Sequence, residues 1–433
     1  MLKKIISSFL LLLICLPIFS QSKGYKITVK IKNITDTVLY LVGNYGEDVY
    51  IFDSARVNKR FVAIFTGKQE LYPGIYSIQN REKQNLFDLI IDKSREFSIS
   101  TSKENIFKKR KIVGSAENQA LFEVEKMAML TKLEPTVREE TLEAFSDFSP
   151  NSLLSKFIKA IAPLKIPEPI QEDSIQKQSY IITHYFDNIA INDARLLRVP
   201  FVSDKILSFF TAILPQDADT LSYYIHSFLN NLTNREVFDY YLEKLFKYYS
   251  SYTSPPELDG VSVGLYDSFC TTPDCKFIEP EMRRVVYNKI ERKRRLLPGE
   301  TVKPLLALDT AGECRKSSQL TTDFIILWFW EPDCGSCVEL TPELSEFYKE
   351  YKTDLNFEVY AVALTEDEEA WLDFIKENNL DWINVSCVHG MLDYDFIDFF
   401  DIITTPSILL MDKNHKIISR ELSFSKLKKI MEK

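Results

Sequence analysis

Glycine and proline are scarce in this chain, with 12 and 18 residues among 433. Their scarcity excludes a low-complexity tract or a long flexible linker, because both depend on these residues. Basic residues are outnumbered as well: 53 Lys and Arg against 62 Asp and Glu give a formal net charge of −9. Since phosphate backbones bind to basic surfaces, a nucleic-acid partner is not expected. The length predicts roughly three domains.

Long apolar runs are missing except at the amino terminus. Residues 1–20, MLKKIISSFLLLLICLPIFS, place two lysines before an apolar core and a polar cleavage region after it. This order is typical of a secretory signal peptide, and the core is too short for a stable membrane span. We therefore expect cleavage after Ser20 and export to the periplasm or cell envelope. Membrane anchoring is not expected, although lipidation at Cys15 is left open.

Cysteine is sparse in the expected mature chain. It occurs at six positions, Cys270, Cys275, Cys314, Cys334, Cys337 and Cys387. Six cysteines do not make a disulfide scaffold in a chain of this size, so packed cores must supply the stability. Cys270 and Cys275 flank a turn-like Thr-Thr-Pro-Asp, and we expect a non-catalytic pair, either a local disulfide or two free thiols. The sequence assigns no role to Cys314 or Cys387.

Three kinds of sequence pattern follow one another along the chain. Residues 21–113 contain short alternating strands, which predict an antiparallel, sandwich-like β domain. Residues 114–300 repeat apolar and aromatic residues at three- and four-residue spacings, which predicts an all-α middle domain. Residues 301–433 alternate strands with helices and predict an α/β unit with a mixed sheet. The expected fold class is therefore multidomain.

One stretch near the carboxyl end carries the candidate chemistry. FIILWFW is a buried-strand pattern, and it runs into EPDCGSC, which holds Cys334 and Cys337. A cysteine at a helix N-terminus is stabilised as thiolate by free backbone N–H groups and the helix dipole. A second cysteine one turn later can reach the first and release a mixed disulfide. The pattern therefore favours a redox-active dithiol.

Two other interpretations of this pair are weaker. Zinc needs two more ligands, and the nearest similar pair, Cys270 and Cys275, belongs to another predicted domain. A purely structural disulfide would close so short a loop that it would constrain little of the unfolded chain. His184 and His226 lie among aromatic residues, and neither is expected to act as a metal ligand or a catalyst. No metal and no organic cofactor are predicted.

The stretch WEPDCGSC, residues 330–337, resembles the thioredoxin superfamily, and most closely the exported TlpA-like and ResA-like thiol-disulfide oxidoreductases. Pro342 is similar to the proline that kinks the family's active-site helix. Thr405-Pro406, before a predicted hairpin, resembles the family's cis-proline loop, so a cis peptide bond is expected there. The resemblance covers residues 301–433. The upstream regions resemble, more loosely, two domains of unknown function found in exported bacterial proteins.

The resemblance implies a role for each matching residue. Cys334 would be the nucleophile, Cys337 the resolving cysteine, and Pro406 would shape the site. Substrate binding would involve Trp330, Pro332 and Thr405. The partners would be protein thiols and disulfides, with a membrane protein upstream as an electron donor.

One position departs from the family pattern. Where thioredoxins bury an acid, this chain has Trp328, and either Glu331 or the segment 366–369 is the candidate substitute. The sequence therefore predicts an exported thiol-disulfide oxidoreductase that reduces or exchanges protein disulfides. The alternative is a cell-envelope binding or scaffold protein in which the CxxC is structural or vestigial.

Overall fold

The computed structural model describes residues 24–130, 149–386, 395–420 and 423–432. The predicted signal peptide and Cys387 lie outside these residues. Contacts divide the chain into two compact units, residues 1–206 and 207–433.

The first unit begins with eight strands. They are β1 (Tyr25–Lys32), β2 (Val38–Tyr45), β3 (Asp48–Arg56), β4 (Val62–Gly67), β5 (Gly74–Gln79), β6 (Asn85–Ile91), β7 (Glu96–Ser102) and β8 (Lys111–Val113). The strands form two four-stranded sheets, ordered β4-β1-β7-β8 and β3-β2-β5-β6. The predicted β domain is confirmed, with one difference: β1 and β7 pair in parallel, whereas every other pair among these strands is antiparallel.

Alternation along β1 shows how the sequence forms this domain. Ile27, Val29 and Ile31 are buried, while the residues between them face outwards. In a strand, successive side chains point to opposite faces, so the apolar set lines one face. That face packs into a core shared by both sheets. Burial of this apolar area is the main source of stability.

Helices follow the sheets within the first unit. They are α1 (Ala116–Leu130), α2 (Leu153–Ile161), α3 (Ser174–His184) and α4 (Val202–Ser208), the last of which runs across the division at residue 206. Polar contacts fix two of them to the β domain: Asn118 in α1 bonds both backbone groups of Ile90, and Asp92 accepts from the Leu153 N–H. Arg195 also donates to Asp92, at 2.9 Å.

The second unit begins with helices. They are α5 (Ala218–Asn230), α6 (Arg235–Ser250), α7 (Asp259–Leu265) and α8 (Arg283–Arg294). Asn234 caps α6 by accepting from the N–H groups of Glu236 and Val237, as its sequence position predicts. A five-residue π-helix, Tyr266–Cys270, directly continues α7. The all-α middle region is confirmed.

The remaining residues form a seven-stranded mixed sheet flanked by helices. The strands are β9 (Leu306–Asp309), β10 (Cys314–Lys316), β11 (Phe324–Trp330), β12 (Phe357–Ala363), β13 (Ile383–Ser386), β14 (Ser407–Asp412) and β15 (Ile417–Arg420). The helices are α9 (Gly335–Tyr351), α10 (Glu368–Glu377), α11 (Phe396–Phe400) and α12 (Phe424–Met431). The strand order is β10-β9-β13-β12-β11-β14-β15. The predicted C-terminal α/β thioredoxin fold is confirmed.

Strand β11 lies inside this sheet, parallel to β12 and antiparallel to β14. Its last six residues are all buried because cores pack on both faces. A strand whose two faces are both buried is apolar along its whole length, as FIILWFW is in the sequence.

A buried cluster of charges ties the helices of the second unit to its sheet. Asp259 at the start of α7 bonds Lys293 of α8 through one oxygen and Arg420 of β15 through the other. The side chains of these residues are 1%, 4% and 8% exposed. A buried carboxylate is tolerated when paired and hydrogen-bonded, as here.

Candidate active site

The site forms where β11 ends and α9 begins. β11 ends at Trp330, three residues turn the chain, and Cys334 is the N-cap of α9. Its Sγ accepts a hydrogen bond from the Cys337 N–H at 3.2 Å. The first N–H groups of a helix have no partner within the helix, so the sulfur satisfies a donor that would otherwise be free. The predicted placement of Cys334 at a helix N-terminus is confirmed.

A second loop approaches Cys334 from the neighbouring strand. Because β14 pairs with β11, placing Ser407 opposite Phe329, the residues before Ser407 lie beside the end of β11. The Cys334 S–H donates to the Thr405 carbonyl at 3.3 Å. The Thr405–Pro406 peptide bond is cis, as predicted from the sequence.

The two thiols differ in exposure and in acidity. Cys334 is partly exposed, whereas Cys337 is fully buried. Burial raises the pKa of Cys334, but hydrogen bonds with the Cys337 thiol, Thr405 and two backbone N–H groups outweigh it, so the pKa lies below the ordinary 9.0. Burial, and then the hydrogen bond with Cys334, raises the pKa of Cys337 to about 12. Of the two thiols, Cys334 therefore loses its proton first as the pH rises.

Cys337 sits against the core of the domain. It belongs to the same buried cluster as Trp328, Leu344 and Ile408. Its carbonyl accepts from the Thr341 hydroxyl at 2.7 Å, one turn further along α9. Pro342 lies inside α9, where the resemblance to the family places it.

Trp330 corrects one expectation. It was predicted to bind substrate, but its side chain is fully buried and stacks on Trp328, with ring centroids 5.2 Å apart. A residue without exposed surface cannot touch a substrate protein, so Trp330 supports the site from behind. Trp328 is also fully buried, so a bulky indole occupies the position where thioredoxins bury an acid.

Of the two candidate substitutes for that acid, Glu331 reaches the site. Its carboxylate accepts from the Thr405 hydroxyl at 3.4 Å. The segment 366–369 instead forms the start of α10, where Asp367 caps the helix.

Pro332, Thr405 and Pro406 are all half-buried. Sequence reasoning missed that Thr405 contacts Cys334 through its backbone carbonyl, because the sequence does not show which strands are neighbours.

The other residues considered as ligands have ordinary structural contacts. His226 bonds the Ser222 carbonyl at 2.7 Å and the Ser268 hydroxyl at 2.9 Å, one through each ring nitrogen. His184 pairs with Asp187 at 2.7 Å. Within the described residues no group of three or more His, Cys, Asp or Glu could hold a metal ion. No helix in the described part of the chain is long and apolar enough to cross a membrane.

Comparison with known proteins places three families along the chain. Residues 322–417 match the model described as thioredoxin-like. Residues 129–292 and 25–121 match two domains of unknown function, DUF5106 and DUF4369. A curated relative, "Probable nucleoredoxin 1" of Arabidopsis thaliana, is 28% identical over 108 residues. Those residues are 25% of this chain and 18% of the relative, so the chain spans less than a fifth of that protein.

Solved structures with similarity include a thioredoxin-like protein from Bacteroides caccae, 16% identical over 63% of this chain and 97% of that one, with a TM-score of 0.49. The thioredoxin domain of a Bacteroides vulgatus thiol-disulfide oxidoreductase is 26% identical, covering 32% and 96%, with a TM-score of 0.28. A thiol:disulfide interchange protein from Bacteroides sp. is 26% identical, covering 32% and 89%, also with a TM-score of 0.28. The match to the family model, together with the strand order, identifies a thioredoxin-like domain at the C-terminal end of the chain, residues 322–417.

Proposed function

We propose that the chain is an exported thiol-disulfide oxidoreductase that reduces or exchanges disulfides of other proteins through Cys334 and Cys337. The observation that carries the proposal is the position of Cys334. It caps α9, accepts the Cys337 N–H, touches the Thr405 carbonyl and keeps a partly exposed sulfur. The hydrogen bond from the Cys337 N–H favours thiolate, which is the form that attacks a disulfide.

The first step is attack by the Cys334 thiolate on one sulfur of a substrate disulfide. A bond forms between Cys334 Sγ and that sulfur, the substrate disulfide breaks, and the other substrate sulfur leaves as thiolate. Cys334 is then part of a mixed disulfide and carries no negative charge.

The second step releases the substrate. The pKa of Cys337 is raised first by burial and then by Cys334, through a hydrogen bond and electrostatic interaction. Once Cys334 is bonded to substrate, the contribution of its thiolate disappears, so Cys337 deprotonates more easily. Cys337 then attacks Cys334 Sγ, the internal disulfide forms, and the second substrate thiol leaves. A separate dithiol, which we place in an upstream membrane protein, would restore the reduced pair.

The loop at Pro406 gives the substrate chain a place beside Cys334. Thr405, whose carbonyl contacts the sulfur, and Pro406 are half-buried, and Pro332 lies on the β11–α9 loop just before Cys334. An extended peptide could pair with the backbone of this loop as an added strand. Recognition would then depend on an exposed, extended segment next to the disulfide more than on a particular side chain.

Trapping tests this function. In a Cys337→Ser variant nothing remains to release the mixed disulfide, so substrates should stay covalently attached to Cys334. The variant is expressed in its native cells, quenched with acid, alkylated and separated without reductant. Thiol-sensitive high-mass adducts are expected, and their masses identify the substrates.

A Cys334→Ser, Cys337→Ser double variant is the matched control, and it should form no adducts. Absence of adducts in the single variant, together with no dithiol–disulfide cycling in the wild type, would favour the scaffold alternative.

Export is the second part of the proposal. It is supported by the signal-like order of residues 1–20. Protein purified from native cells should begin near Gln21 when its intact mass is measured, because a signal peptide is removed. A chain that keeps Met1 in the cytoplasm would disprove export and leave the redox proposal standing.

A further inference from the structure

A second cysteine pair lies in the helical part of the second unit. Cys270 is the last residue of the π-helix that follows α7, and Cys275 lies five residues later. Both are buried, at 2% and 1% exposure. The Cys275 N–H donates to the Thr272 carbonyl at 3.3 Å, so the four residues between the cysteines form a tight turn.

Two arginines hold this turn in place. Arg283, the first residue of α8, donates to the carbonyls of Thr272 at 3.0 Å, Pro273 at 3.4 Å and Cys275 at 3.1 Å. Arg235, the first residue of α6, donates to the Asp274 carbonyl at 2.6 Å. Three helices therefore meet at the turn, and the backbone that carries Cys275 is fixed before any sulfur–sulfur bond exists.

The two thiols contact each other. Their mutual hydrogen bond raises the pKa of Cys270 and lowers that of Cys275, whose thiolate also faces the charge of Arg283. Holding two reacting groups together in a fixed backbone gives them a high effective concentration and removes much of the entropy cost of bonding. Cys275 is therefore the sulfur that can attack, and Cys270 is in place to accept the bond.

We propose that Cys270 and Cys275 form a permanent structural disulfide that closes the turn between α7 and α8. In the folding chain, the Cys275 thiolate attacks a small-molecule disulfide and displaces one thiol. Cys270 gives up its proton and attacks Cys275 Sγ, displacing the second thiol. Two protein thiols are oxidised, one external disulfide is reduced, and both protons end on the released thiols.

The same surroundings keep this disulfide out of exchange reactions. Exchange needs a thiolate to approach one sulfur of the bond along the sulfur–sulfur axis, and neither sulfur is open to solvent. A permanent disulfide here rests on the proposed export to an oxidising compartment, but it involves a different pair of sulfurs from the proposed redox reaction.

Peptide mapping tests the inference directly. Lys247 and Lys276 are tryptic sites, so residues 248–276 form one peptide that holds Cys270 and Cys275 and no other cysteine. Residues 317–349 form another, which holds Cys334 and Cys337. The full chain is reduced in denaturant, refolded in reduced and oxidised glutathione, quenched with acid, alkylated and digested. Peptide 248–276 is expected without label.

The folded, oxidised protein is then exposed to dithiothreitol without denaturant. The 317–349 peptide should become labelled quickly, and the 248–276 peptide about 100-fold more slowly, because its reduction waits for local opening. Double labelling of 248–276 after refolding would overturn the inference. So would a crosslink from either cysteine to the peptide that holds Cys314, or equal reduction rates for the two pairs. A Cys314→Ser variant, which lacks the exposed thiol, should give the same result as the wild type.

Discussion

The two cysteine pairs differ in the end of the helix at which they lie. Cys334 precedes the first turn of α9, where free N–H groups point at its sulfur. Cys270 ends the π-helix after α7, at the carbonyl end of the helical run. The positive end of a helix dipole stabilises thiolate, and the negative end disfavours it. Despite burial, hydrogen bonds with the Cys337 thiol, Thr405 and two backbone N–H groups lower the pKa of Cys334, whereas the hydrogen bond with Cys275 and burial raise the pKa of Cys270.

Exposure separates them further. Cys334 keeps accessible surface, whereas Cys270 and Cys275 have almost none. Two cysteines close together in the sequence therefore say little by themselves about redox activity. Redox activity depends on whether hydrogen-bond donors stabilise the thiolate and on whether a second protein can reach the sulfur. Three predictions test this difference, in order of decreasing effect.

The largest expected difference is in reactivity. In protein reduced in denaturant and refolded without oxidant, Cys334 should react with iodoacetamide about 100-fold or more faster than Cys270 and Cys275, because it is exposed and acidic. A Cys337→Ser background makes peptide 317–349 report on Cys334 alone, while peptide 248–276 reports on the other pair. Comparable rates in the folded protein would contradict the comparison.

The pH dependence of the same reaction sharpens this prediction. Because the pKa of Cys334 is lowered from its ordinary value, its alkylation rate should level off at a lower pH than that of an unperturbed thiol. In Cys334→Ser, the rate at Cys337 should keep rising to pH 10, because burial keeps its pKa high and the rate follows the small thiolate fraction. Two profiles with the same midpoint would show that the helix N-terminus does not distinguish the sulfurs.

An intermediate effect is expected on stability. Replacing both Cys270 and Cys275 with Ala should lower the free energy of unfolding by about 2 kcal/mol, because the closed loop no longer restricts the unfolded chain. Disulfide exchange at Cys334 should be unchanged. Urea denaturation and insulin reduction measure the two properties. Cys314→Ser is the control, with an expected change within about 0.5 kcal/mol, since the residue is exposed.

If the Ala double variant is folded and has lost exchange activity, the separation of the two pairs is wrong. If its stability equals that of the wild type under oxidising conditions, the disulfide at this turn does not exist.

The smallest effect is expected at Glu331. Its contact with the Thr405 hydroxyl is long, 3.4 Å, and Thr405 meets Cys334 through its backbone. Glu331→Gln should therefore change the rate of substrate trapping by less than about tenfold, the equivalent of one weak hydrogen bond. Exposed Glu339, in helix α9, provides the control variant Glu339→Gln. A loss of several hundredfold would instead make Glu331 part of the activation of Cys334.

Much of the site could be predicted from local sequence. An apolar strand, a pair of cysteines at a helix start and a later Thr-Pro are short-range signals, and the structure has Cys334, Pro342 and the cis Thr405–Pro406 bond where they indicate. The complete burial of the Trp330 side chain could not be predicted in the same way. A continuous apolar run says that a strand is buried, but it does not say where the burial ends, and here it includes the residue next to the active-site loop.

Contacts between distant residues were beyond the sequence. Parallel pairing of β1 with β7 joins strands about 70 residues apart, and ten-residue spacing suggests only hairpins. The Thr405 carbonyl reaches Cys334 across 71 positions. Such pairs follow from the whole packing of the chain, which local periodicity does not encode.

The buried carboxylate Asp259 bears on how this chain can be divided. Its two partners lie on opposite sides of residue 301, where the sequence pattern changes from helical to α/β: Lys293 before it and Arg420 after it. A fragment that starts at residue 301 would keep the Arg420 guanidinium and lose the carboxylate that neutralises it in the full chain. Asp259, on a helix before residue 301, therefore neutralises a buried positive charge of the C-terminal domain. We expect a redox-competent fragment to need α7 and α8, so the smallest piece that folds well is longer than the piece that carries the chemistry.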